Sequence, residues 1–154
     1  MVTDFFGIFL QELGRILQLP DLHPDSNNSC LIKFKGDIQI QLEMDHTGEY
    51  LIIGADFDSI PPGKYKERIF FESLRANGMP HPRYGTFAYS KQLDHLVLFE
   101  KIPVKDLNAQ KVADFLILFM EKTRIWKEAI TRGDVPVVSA PSSKGSSKGM
   151  FGLQ

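Results

Sequence analysis

The residues of this chain that could do chemistry are few and scattered. Four histidines, His23, His46, His81 and His95, fall in separate segments. No two stand at the i, i+4 spacing that sets a pair of imidazoles on one helix face to hold a metal. Cys30 is the single cysteine, so neither a disulfide nor a cysteine-rich zinc site can form within one chain. It opens an apolar strand-like run, where a thiol reads as a core residue rather than an activated nucleophile. Asp56-Phe57-Asp58-Ser59 begins like a calcium loop, and Glu67 falls at its twelfth position. The sixth position is Pro61, where the sharp turn requires glycine, so the match fails. Gly63-Lys64 looks like the end of a phosphate loop without the upstream glycine or the following Ser or Thr, and no Gly-x-Ser-x-Gly elbow exists. The sequence thus names no catalytic residue, no metal site and no cofactor. An enzyme binding a small molecule between sheet and helices remains an alternative that no residue set supports.

Composition narrows the class further. The length of 154 residues is that of one domain with a single core. A formal charge of −1 gives no electrostatic case for nucleic acid or an anionic membrane. The one basic cluster, Lys64-Tyr65-Lys66-Glu67-Arg68, is interrupted by its own glutamate and reads as a solvated helix face. No stretch approaches the roughly 20 apolar residues of a membrane span. The apolar opening of the chain lacks a basic leader, carries Asp4, and stops at Gln11 and Glu12, unlike a signal peptide. A reducing cytosol is the expected compartment, and Asn27-Asn28-Ser29 is then a chance glycosylation pattern.

Periodicity supplies the elements. Residues 4–19 read as a helix, N-capped by Thr3 and ended by Pro20, with apolar residues spread over an arc of roughly 140°. A loop over 20–29 leads to three strands: 30–35, then 37–44 in strict alternation with Ile38, Ile40, Leu42 and Met44 on one side, then 49–57. A second helix spans 64–76, with Asn77-Gly78 as its C-cap. Strands at 84–90 and 95–101 follow. Asp106 or Asn108 then caps a long helix reaching Arg132, with Gly133 just beyond. Residues 134–154 are rich in Ser, Gly, Pro and Lys and are expected to be disordered. The prediction is an α+β sandwich of order αβββαββα, with a domain over 1–133 and a tail over 134–154.

Three of these elements are greasier than a monomer requires. In the second helix Phe70, Phe71 and Leu74 share one arc, while Ile69 lies nearly opposite with Tyr65 and Ala76 beside it. One stripe can enter the domain core, and the other is expected to meet a second copy of itself. The wide arc of the first helix suits a groove for an extended peptide, since strand addition at a sheet edge supplies main-chain hydrogen bonds. In the third helix Val112, Phe115, Leu116, Phe119, Trp126 and Ile130 form the main stripe. Ile117, Leu118 and Met120 extend apolar surface around its middle.

With these elements in place, the chain resembles the class I chaperones of bacterial type III secretion, the family of the Tir and Yop effector chaperones, most of all its chlamydial members. The resemblance covers about residues 4–132. It rests on the ordered set LGRILQLP, NNSCLIKFKGDIQIQLE, YLIIGADFDSIPPG, KERIFFESLRANGM, GTFAYSKQLDHLVLFEKIPV and FLILFMEKTRIWKEAI. It implies a homodimer of the bacterial cytoplasm that hydrolyses no nucleotide and keeps the N-terminal segment of a secreted effector extended and competent for export. The implied dimer interface is Tyr65, Ile69, Phe70, Leu74, Gly85 and Phe87. The implied effector groove is Phe5, Phe9, Leu13, Ile16, Ile38, Ile40 and Leu42. The implied partners are effectors, a second copy or a related chaperone subunit, and the secretion ATPase, with no nucleic acid and no membrane insertion. A heterodimeric subunit that regulates secretion or gene expression is the alternative within the family. Two features depart from the family pattern: a pI near 6.4 where its members are distinctly acidic, and the Ser/Gly/Lys tail.

Overall fold

The computed structural model describes residues 4–136; of the tail expected to be disordered over 134–154, Asp134 is hydrogen-bonded to Ala129 and Val135 packs on the core, while 137–154 and the expected N-cap Thr3 lie outside the described residues. The order is α1 (Asp4–Leu17), β1 (Ser29–Phe34), β2 (Ile38–Met44), β3 (Tyr50–Asp56), α2 (Lys64–Asn77), β4 (Thr86–Ser90), β5 (His95–Pro103) and α3 (Ala109–Arg132), with one 3-10 turn at Val104–Asp106. The predicted αβββαββα order is what the chain adopts. The strands form a five-stranded sheet in the order β1-β2-β3-β5-β4, antiparallel at every pairing.

The alternation of β2 fixes the inner face of the sheet. Ile38, Ile40 and Leu42 are buried and Gln39, Gln41 and Glu43 exposed. Register then aligns Ile32 with Ile40 and Leu42 with Ile53, so one side of the sheet is continuous hydrocarbon. Phe6, Phe9, Leu10 and Leu13 of α1, with Val112, Leu116, Phe119 and Trp126 of α3, complete a single core against it. α3 starts at Asn108, whose side chain accepts from the Lys111 N–H, and ends at Gly133 in the left-handed region (φ 76°).

α1 ends two residues earlier than its apolar pattern. Gln18 turns left-handed (φ 57°) and the Leu19 N–H donates back to the Gly14 carbonyl at 2.8 Å. The chain then doubles back along the helix. A Cβ on Gly14 would stand 2.6 Å from the Leu19 oxygen, and one on Gly7 3.8 Å from Pro24 Cδ. These two glycines, seven residues apart, share a helix face, and that face is covered by the returning loop.

Candidate interaction surfaces

α2 presents the two stripes its sequence predicts, and the structure assigns them. Ile69, Ser73 and Ala76 face inward. Phe71 and Leu74 face out, 61% and 69% exposed. Phe70 lies between, its ring 6.0 Å from that of Tyr89 on β4. Lys66 and the Tyr89 hydroxyl both donate to Asp94, the latter at 2.6 Å, which ties the helix to the β4–β5 turn and holds the Asp94 carboxyl below its usual range. In the same first turn of α2 the Tyr65 hydroxyl donates to the Asp134 carbonyl at 2.7 Å.

Three residues implied for the dimer interface are instead interior. Ile69 packs into the core, and Phe87 is held between Phe57 and Trp126, ring centroids at 5.9 and 4.4 Å. Gly85 is needed for close packing: at φ 112° its Cβ would come within 2.9 Å of both Leu98 and Phe119. The part of the implied set that stays at the surface is Leu74, with Phe71 beside it and the half-buried Phe70 and Tyr65 at the margin. Phe71 is absent from the implied interface, although it shares the arc of Phe70 and Leu74.

The groove set divides in the same way. Phe9, Leu13, Ile38, Ile40 and Leu42 are all buried, because the apolar face of α1 lies directly on the inner face of the sheet. Those five are core and cannot line an open groove. Ile16 is half-buried against the core, and Phe5 stays 48% exposed. Ile8, outside the implied set, is 62% exposed. Phe5 borders a hollow of about 420 Å³ with Asn28, Met44, Thr47 and Val104, at the foot of β1.

The two edges of the sheet are finished differently. On β4 the Asn77 side chain takes both main-chain groups of Phe87. Lys122 Nζ donates to the carbonyls of Gly85 and Arg83, and the Arg83 guanidinium donates to the Asn77 carbonyl. On β1 the Ser29 N–H and carbonyl are paired with Asp25, while the Asn28 carbonyl accepts from Met44 across the ladder. Antiparallel alternation then turns the main-chain groups of Leu31 and Lys33 away from β2, toward the open side. The Leu31 side chain is 49% exposed on the outer face.

Cys30 is buried and its thiol is pushed up, by burial first and against a hydrogen bond from the His23 backbone. His95 Nδ1 lies 2.8 Å from the Asp56 carboxylate, a hydrogen bond between the start of β5 and the end of β3. Among the described residues no group of three or more His, Cys, Asp or Glu side chains could hold a metal, and no helix is long and apolar enough to cross a membrane.

The fold is that of small secretion chaperones. The chain superposes on a chain of the HopA1–SchA chaperone–effector complex with a TM-score of 0.61, at 17% identity over 84% of this chain and 98% of that one. A chain of the ExsC–ExsE complex gives 0.62 at 16% identity, covering 84% and 96%. A chain of the Yersinia pestis type III secretion chaperone SycH in complex with a stable fragment of YscM2 gives 0.59 at 15% identity, covering 77% and 96%. No curated protein sequence matches significantly. Residues 8–127 match the Tir chaperone protein (CesT) family, and the chain belongs to it. The resemblance read from the ordered motifs is therefore borne out.

Proposed function

We propose that this protein is a chaperone of bacterial type III secretion that holds the N-terminal segment of an effector extended against its surface, in the cytoplasm and without catalysis. The open edge of β1 carries the reading. A cargo segment pairing with Leu31 and Lys33 would continue the sheet, and its side chains would meet Leu31 on the outer face and the Phe5 hollow at the strand's foot. Ordering an otherwise disordered segment is offset by burying apolar surface at about 25 cal/mol per Å². Family membership and the chaperone–effector complexes among proteins of like fold support it.

The same reading makes the outer face of α2 a dimer interface, since Phe71 and Leu74 have nothing of their own chain over them. Hydrogen exchange of the complex with an effector's N-terminal segment tests the cargo site. The Leu31 and Lys33 amides are expected to become protected. Unchanged exchange there, with protection elsewhere, would move the cargo to another surface.

A further inference from the structure

The outer row of β1 carries a charge that an open edge alone does not require. Leu31 and Lys33 project from the outer face, Lys35 follows two residues on, just past the strand, and all three are exposed. Across the ladder Gln41 stands opposite Leu31 and Gln39 opposite Lys33, both neutral. Among the described residues neither lysine forms an ion pair. The acids at the ends of the strand are placed otherwise. Asp25 accepts from the Asn27 and Ser29 N–H groups, Glu43 stands opposite Ser29, and Asp37 lies in the turn beyond Lys35. On the inner face Cys30, Ile32 and Phe34 carry the hydrocarbon of the sheet out to the same edge.

We propose that the segment taken up at this edge is an acidic one. It is an extended stretch with a large apolar residue against Leu31, a carboxylate two residues on against Lys33, and a second carboxylate against Lys35. The residues between them are apolar and turn to the inner face. The inference rests on the proposed strand addition at β1 and adds to it the chemistry of the cargo. Side chains alternate along a strand, so every second cargo residue meets the outer row. Residues directly opposed across two strands have Cβ atoms about 5 Å apart, where an opposite-charge pair is favourable and a like-charge pair is not. The lysines also discriminate against the competing occupant. A second copy pairing over the same stretch would set the lysine pair of each chain on one face, a repulsive element by which edge strands avoid joining one another.

The test uses the full chain and the N-terminal segment of an effector that it binds. Hydrogen exchange first locates the cargo, and its affinity is then measured for a chain carrying both Lys33→Glu and Lys35→Glu, exposed positions outside the core. The dissociation constant is expected to rise at least about tenfold over that of the parent. Added salt should weaken the parent complex more steeply than that of the chain with Lys33→Gln and Lys35→Gln. Replacing the cargo's facing acids by lysine should restore binding to the charge-reversed chain, a rescue that misfolding would not allow. Protection of the Leu31 and Lys33 amides with unchanged affinity in the reversed chain would overturn the acidic cargo and leave strand addition standing. No protection at β1 would overturn strand addition and this inference with it. Protection of the same amides without cargo, lost on dilution, would place a second copy on the edge and overturn the proposal as well.

Discussion

The Asn77 side chain closes the main chain of Phe87: its amide donates to the Phe87 carbonyl at 2.9 Å, and its oxygen accepts from the Phe87 N–H at 2.7 Å. The last residue of α2 thus does for one residue of β4 what a sixth strand would do. An edge strand is a template for unwanted pairing, and this one is stopped at its second residue.

Asn77→Ala should therefore act on stability and on solubility together. Removing the amide leaves two main-chain groups of Phe87 unpaired, at roughly 1–3 kcal/mol. Urea unfolding is expected to shift by that amount, with a rise in light scattering as the edge opens. A variant as stable and as soluble as the parent would show that water serves Phe87 equally well.

Lys122 predicts a pH dependence. Its ammonium donates to the Arg83 carbonyl at 2.7 Å and the Gly85 carbonyl at 3.3 Å, and lies 5.0 Å from the Phe87 ring. Burial first, and the nearby Arg83 second, push its pKa down to about 8 against the pull of Glu100. A lysine titrating lower in the folded than in the unfolded chain leaves the unfolded chain with the extra proton between the two values. Its contribution is least favourable below about pH 8 and improves as pH rises from there toward the ordinary lysine value. Urea midpoints of the parent relative to Lys122→Met should climb between about pH 7 and about pH 10. A flat difference would contradict the lowered pKa.

The physical pattern of the sequence made some of this legible and hid the rest. Strict alternation in β2 was enough to place the inner sheet face, and the two candidate caps, Asp106 and Asn108, bracketed the start of α3, because period and capping are local. Periodicity also grouped Ile69 with Ala76 correctly. It could not say whether a greasy face meets its own sheet or a partner, and the groove set failed there. Ile8, outside the implied groove, is the most exposed large apolar residue of α1. Asn77 read as a cap because a long-range bond from side chain to main chain has no period. Gly7 and Gly14 did carry a signal, seven residues apart on one helix face, for the loop that doubles back over them.

The α2 face gives a clean test of assembly. Phe71 and Leu74 are exposed in the protomer, so Phe71→Asp or Leu74→Asp should change its stability by only about 0.5 kcal/mol. Each is expected to weaken a dimer by roughly 2 kcal/mol or more, about thirtyfold. Light scattering across a dilution series should show the parent as a dimer and the variants shifted to monomer with unchanged circular dichroism. Ile69→Asp should instead unfold the chain, since that side chain is fully enclosed.

Strand addition at β1 is separable from simple apolar contact by where a proline is placed. The Leu31 N–H faces the open side, so Leu31→Pro removes a donor that the sheet's own ladder does not use. Ile32 has the opposite parity and bonds to β2, so Ile32→Pro breaks the ladder and should abolish folding. The expected result is a folded Leu31→Pro variant whose cargo affinity falls at least about tenfold, near 1.4 kcal/mol, for the lost main-chain bond. Leu31→Ala, which keeps the N–H but trims the side chain, should lose less. If the two variants lose affinity equally, the cargo reads Leu31 by its side chain and does not extend the sheet. If Phe5→Asp and Ile8→Asp alone abolish binding, the occupied surface is α1.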